Sequence, residues 1–170
     1  MAADDQPARG HDVAALLLRA TLGGMLFTHG YNKVNGPGGL QGTTGWFRSL
    51  GLEPAGLHAR LAAGTEMAAG VGLALGAASP LPEAAAVGLM TVAARTDHRG
   101  KGFFVFKGGW EYTAVVGGTA IALAALGSGR YSVDKLLRRR TSGLKPALLA
   151  VGLGTANAAL LLKLCYRPEE

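Results

Sequence analysis

Cysteine is almost missing from this chain: Cys165 is the one thiol among 170 residues. That excludes an internal disulfide, a Cys-x-x-Cys redox pair and a cysteine-held iron–sulfur cluster. Charge is scarce as well, at 16% of residues against about 25% in an average soluble domain. Aromatic residues contribute 6%, and the basic residues sit in the connections between apolar blocks, as loops and headgroup contacts have them. The net charge of +6 therefore does not read as a nucleic-acid surface, which needs basic residues interleaved with exposed aromatics or a known module. There is no glycine-rich phosphate loop at a strand–helix junction and no Gly-x-Ser-x-Gly nucleophile elbow. Of four histidines, His29 alone lies well inside an apolar segment. His11, His58 and His98 fall near segment ends, at different depths. Neither a histidine pair for membrane haem nor a metal cluster is expected.

What the chain has instead is apolar length. Hydrophobic residues make up 49%, the mean hydropathy is +0.24, and the apolar residues lie in long blocks with the charges between them. Glycine is abundant, at 27 residues, and small residues let membrane helices approach closely. A span needs about 20 apolar residues. Residues 13–34 and 57–78 meet that length if their ionisable residues are tolerated. A third segment, 83–97, follows the turn at Pro80-Leu81-Pro82 and is short unless Arg95 snorkels to the interface. A fourth, 109–126, stops at Gly127-Ser128-Gly129, and a fifth, 144–164, follows a basic stretch. The expected fold is all-α: a polytopic membrane protein with a four-helix transmembrane bundle and a fifth, carboxyl-terminal transmembrane helix.

The residues before the first segment mix Asp4, Asp5, Arg9 and Asp12. Arg19 interrupts the apolar run and no small-x-small cleavage site follows, so the segment reads as a span rather than a removable signal. Residues 35–54 are rich in glycine and carry Trp46, Phe47 and Leu50. They read as an interfacial loop with room for a short amphipathic helix. Residues 98–109, with Phe103, Phe104 and Phe106 beside lysines, suit headgroup depth on the same side. Basic residues nearly balance across the two sides. The dense run Lys135, Arg138, Arg139, Arg140 favours a cytoplasmic amino terminus. Gly72 and Gly76, Gly117-Gly118, and Gly152 and Gly154 suggest close helix packing within the bundle ahead of homo-oligomerisation.

The costly feature is a set of charges inside these segments. Arg19, His29 and Lys33 lie in the first and Glu66 near the middle of the second. A charge at the bilayer centre costs roughly 2.5–3.5 kcal/mol on insertion scales, so each needs a partner, water or a task. At about 100° per residue, Arg19, His29 and Lys33 share a sector of roughly 80°. Depth pairs Lys33 and His29 with Glu111, at the start of the fourth segment, and leaves Glu66 between His29 and Arg19. Glu83 enters from Arg19's side and can serve it instead. Plainer readings stand beside these. Lys33, Glu111 and Arg19 can snorkel, His29 can be a packing residue, and Glu66 can form a structural ion pair. As chemistry, Glu66 and His29 are the candidates for proton handling. Arg19, Lys33, Tyr31, Glu111 and Tyr112 are candidates for holding a cofactor. A diffusible quinone suits this set, since it wants donors to its carbonyl oxygens and a proton route.

Several stretches together resemble the DoxX family of small membrane proteins. They are Leu18-Arg19-Ala20-Thr21-Leu22-Gly23, then Phe27-Thr28-His29-Gly30-Tyr31-Asn32-Lys33, then Gly64-Thr65-Glu66 before Gly70-Val71-Gly72-Leu73. His98 with Gly102-Phe103-Phe104, Gly108-Gly109-Trp110-Glu111-Tyr112, and Gly127-Ser128-Gly129-Arg130-Tyr131-Ser132-Val133-Asp134 continue it, Ser128 standing where the family usually has proline. The resemblance implies a four-helix membrane domain over residues 13–134 in the cytoplasmic membrane of a bacterium. Around it the chain divides into a polar tail (1–12), a basic linker (135–145), an extra transmembrane helix (146–164) and a closing tail (165–170). The resemblance also implies redox and sulfur metabolism, relatives including membrane subunits of thiosulfate:quinone oxidoreductase. The partners it implies are the lipid bilayer and membrane or soluble subunits of a redox complex. Two functions compete: a quinone-linked membrane subunit, and an accessory scaffold that anchors a partner enzyme without chemistry of its own.

Overall fold

The computed structural model describes residues 6–168, and among them all named elements are helical. Helix α1 (Gln6–Asn35) is 30 residues long, about 45 Å at 1.5 Å per residue. It starts within the stretch expected to be a polar tail; residues 1–5 lie outside the described ones. The run Gly36-Pro37-Gly38 ends it, and α2 (Gly39–Ser49) follows as the short helix expected in the first connection. Helix α3 (Ala55–Leu75) ends at Gly76, whose φ of 61° turns the chain so that Ala77 N–H reaches back to the Gly72 carbonyl at 2.8 Å. Helix α4 (Leu81–Arg95) has Pro82 in its first turn, where the missing N–H costs nothing. A 3₁₀ turn (Val105–Lys107) breaks the next connection. Then come α5 (Glu111–Leu126), the single turn α6 (Val133–Leu136) and α7 (Leu144–Cys165).

Helices α1, α3, α4 and α5 form a closed ring in which each packs on the next and α5 returns to α1. Successive helices run in opposite directions, so two ends can be named. One holds the start of α1, the α3–α4 turn and residues 127–143. The far end holds α2, the 96–110 connection and the carboxyl terminus. Leu22, Leu26, Leu73, Val87, Met90 and Leu123 meet in the core between the four helices. Helix α7 lies outside the ring against α4 and α5. Its end is fastened at the far end by Glu53 N–H to the Cys165 carbonyl (2.8 Å) and Arg167 N–H to the Gly51 carbonyl (2.6 Å).

Glycine sets the closest approaches, though not mainly at the expected positions. A Cβ on Gly23 would lie 2.6 Å from the Gly70 carbonyl oxygen, and one on Gly70 would lie 2.6 Å from the Gly23 oxygen. Backbone therefore touches backbone between α1 and α3. A Cβ on Gly154 would lie 2.6 Å from the Ala84 oxygen, which seats α7 on α4 in the same way. Gly118 and Gly152 face open space, and Gly76 makes room for the Arg19 guanidinium rather than for a helix. Among the described residues, two helices are long and apolar enough to cross a membrane, over residues 9–35 and 144–165.

Candidate functional site

The antiparallel packing of α1 and α3 decides which charges meet. Gly30 faces Ala63, where a Cβ would come 2.6 Å from the Ala63 oxygen. Side chains lean toward the amino terminus of their own helix, so on antiparallel helices Lys33 and Glu66 lean toward each other. They meet at the level of Gly30, whose missing side chain leaves the room: a Cβ there would sit 2.9 Å from Glu66 Cβ. Lys33 Nζ donates to both Glu66 oxygens, at 2.8 and 2.6 Å. The Lys33 side chain is 14% exposed and that of Glu66 8%, so this pair is largely removed from solvent. An ammonium has three donors, and two are spent on Glu66. At the same level Tyr112, on the first turn of α5, brings its hydroxyl 3.4 Å from His29 Nε2 and donates to Met25 Sδ at 3.3 Å. The two rings lie 5.9 Å apart.

This arrangement corrects the pairing expected from depth along the sequence. Glu111 is not the partner of Lys33 or His29. Its carboxylate accepts from Val105 N–H (3.0 Å) and shapes the 102–111 connection. Depth measured at Cα also misplaces Glu66, because the inward lean of two long side chains spans the difference. Arg19 is in neither group. It is 2% exposed at the other end of the bundle, where its guanidinium donates to the Ser128 and Tyr131 carbonyls at 2.5 and 2.7 Å. Glu83 is buried within electrostatic reach of it, on the side expected. Asp134 completes that end, accepting from the Ala78 and Ser79 N–H groups at 3.0 and 2.9 Å and pairing with Arg139 at 3.2 Å. Arg19 thus ties α1 to the closing loop and holds no part of the polar cavity. Tyr31 is also outside it, 53% exposed and stacked on Phe27.

His29, Lys33, Glu66 and Tyr112 line a cavity of about 700 Å³. Its polar part lies at the far end, where residues of α1, α3 and α5 meet and His29 is exposed. From there it continues along α4, past Ala85, Gly88 and Leu89, between α3 (Leu61, Ala62) and α7 (Leu153, Leu161). His58 and His98 line it too, which sequence reading missed. Position in the chain sets them at different depths, yet α3 begins and α4 ends at the same end of the bundle. His98 is held by Nδ1 on the Gly108 carbonyl (2.6 Å) and His58 by the Glu53 carbonyl (3.3 Å). Asn157 of α7 is a further lining residue, and its signal was an amide near the middle of a mostly apolar helix. Among the described residues, no group of three or more His, Cys, Asp or Glu is placed to hold a metal ion.

The donor set therefore suits an amphiphile, with a small acceptor-bearing head at Lys33, His29 and Tyr112 and an apolar tail along α4. Residues 14–99 match the DoxX family, just over half of the chain, from within α1 to just past the end of α4. The chain belongs to the DoxX family. The match takes in Arg19, His29, Lys33 and Glu66, while Glu111, Tyr112 and the closing loop lie beyond it. No curated protein and no solved structure matches the chain. DoxX is a membrane family with redox or stress-related associations, and the two span-length helices agree with that setting.

Proposed function

We propose that this DoxX protein is an integral membrane subunit of a quinone-linked redox or oxidative-stress complex, with the Lys33–Glu66 cavity as the quinone site. The observation that carries the reading is the union of a buried ion pair, a histidine–tyrosine contact and an apolar channel in one cavity of about 700 Å³. Conversion of quinone to quinol takes two electrons and two protons. In this reading the electrons come from the redox group of a partner subunit. Lys33 and Tyr112 donate hydrogen bonds to a carbonyl oxygen, and Glu66 and His29 hold and pass protons. All five long helices cross the cytoplasmic membrane of a bacterium, α4 and α5 being short spans within the bundle, and the basic 135–140 run puts the amino terminus in the cytoplasm.

The scaffold reading has an observation of its own. Phe106 is 77% exposed on the far-end connection, and Leu148, Leu153 and Leu160 are exposed along α7; both suit docking of a partner protein. One experiment separates the two readings. Glu66→Gln and His29→Ala are each made in the natively purified complex, whose quinone-dependent turnover and subunit composition are both measured. A fall in turnover of at least 100-fold with all subunits retained is expected. Unchanged turnover in both variants removes the chemical reading and leaves the scaffold.

A further inference from the structure

A second concavity, of about 650 Å³, lies at the opposite end of the bundle from the quinone site. Arg130, Lys135, Arg139 and Arg140 line it, with the hydroxyl residues Ser132, Thr141 and Ser142 beside them. Asp12 is the one acidic residue in its wall, and it is already engaged: Oδ1 accepts from Arg130 N–H at 2.7 Å, and Oδ2 lies 3.9 Å from Arg130 Nε. Arg139 is half-committed to Asp134, at 3.2 Å with 46% of its side chain exposed. Lys135 and Arg140 are exposed and make no salt bridge among the described residues. Backbone geometry holds the basic run in place. Arg138 has a φ of 55°, a left-handed conformation that a non-glycine residue keeps only when its surroundings over-determine it. Here Arg139 N–H bonds the Asp134 carbonyl at 2.9 Å on one side of that residue, and Gly143 N–H bonds the Ala125 carbonyl at 2.8 Å beyond it.

The flanks of this concavity are apolar and bare. Leu136 is 81% exposed, Leu137 64%, Leu144 73% and Tyr131 61%. Leucines exposed within a few residues of four cationic side chains are unfavourable in water and favourable at a membrane interface. There they enter the acyl boundary while the cations meet headgroups. We infer that residues 130–145 form a binding site for an anionic phosphate group, supplied by the headgroup of a bilayer phospholipid. Arg130, Lys135 and Arg140 hold the phosphate oxygens by charge-assisted hydrogen bonds, and Tyr131, Leu136 and Leu137 seat the acyl chains. A free phosphoryl compound shares the chemistry of the head but has no use for the exposed leucines.

The test uses the full chain reconstituted in nanodiscs of phosphatidylcholine with one-fifth phosphatidylglycerol, with retained lipid counted by native mass spectrometry after release into detergent. Wild-type protein is expected to keep phosphatidylglycerol over phosphatidylcholine at least fivefold above its share in the disc. The Lys135→Gln/Arg140→Gln variant spares the Arg139–Asp134 pair and is expected to lose that preference. A matched variant at the other end, Lys101→Gln/Lys107→Gln, removes the same charge and is expected to keep it. No preference in wild type, or equal loss in both variants, overturns the site. Titration of detergent-solubilised, delipidated protein with inorganic phosphate separates the sources. Binding that disappears in Lys135→Gln/Arg140→Gln and is matched by no lipid preference overturns the lipid assignment in favour of a soluble ligand.

Discussion

Lys33 and Glu66 show how much a single contact decides in a chain with few charges. Each alone would be a charge in an apolar segment; together they satisfy each other at 2.6–2.8 Å. Removing one partner of a buried pair costs about 3–5 kcal/mol, whereas replacing both by apolar residues is often neutral. Lys33→Met and Glu66→Leu are therefore each expected to lower the thermal midpoint in detergent by roughly 6–20 °C, taking about 2–4 °C per kcal/mol for a chain of this size. The double variant is expected to recover most of that loss. Additive losses in the double would mean that the two side chains act separately and that the pair is not the stabilising unit. That Arg19, Lys33 and Glu66 must find polar partners was legible in the sequence, because an ionisable group in hydrocarbon always needs an explanation. Their partners were not legible. Pairing by depth treats a side chain as a point at Cα, whereas Lys33 and Glu66 lean toward each other from different levels.

Among the elements, α1 and α3 were legible by length and apolar content, and α2 as a short amphipathic helix within a connection carrying Trp46, Phe47 and Leu50. Which glycines touch was not, because a glycine's role depends on the face it shares with its neighbour rather than on its spacing. Gly72 and Gly76 have the GxxxG spacing, yet the backbone contact falls on Gly23 and Gly70. The distinction can be measured. Gly70→Val forces atoms into the Gly23 and Phe27 backbone, and overpacking of that kind typically costs about 1–3 kcal/mol. The expected result is a chain that unfolds at least about 3 °C lower or fails to accumulate in the membrane. Gly24→Val, on α1 beside Gly23 but with nothing within 4 Å of its Cβ position, is expected to accumulate and melt like wild type. Equal tolerance of both substitutions would show that α1 and α3 do not pack through this glycine contact.

At the scale of the molecule, the ring of four helices does not close its own cavity, and α7 supplies the missing wall. The family match ends at residue 99, so it does not bear on where this helix sits. Its apolar length was visible in the sequence. Its docking on α4 was not, since it depends on Gly154 meeting Ala84 across a gap of more than fifty residues in the chain. That seat makes α7 part of the cavity, lining it through Leu153, Asn157 and Leu161. Deletion of residues 144–170 therefore removes one wall of the channel along α4 and bares Ala84 and Val87, while Lys33, Glu66, His29 and Tyr112 keep their contacts within the ring. In the purified complex, the truncated chain is expected to raise the quinone concentration needed for half-maximal turnover at least tenfold. The maximal rate should fall less, because the wall holds the tail and the ring holds the proton-handling groups. Asn157→Leu, which keeps the helix and removes only its amide, is expected to leave the lipid-facing fold intact and shift the same concentration by a smaller factor. If truncation leaves the half-saturating concentration unchanged with the complex still assembled, the cavity between α3 and α7 is not the route of the quinone tail. If it instead releases the partner subunits, α7 is a docking helix and the scaffold reading gains what the quinone reading loses.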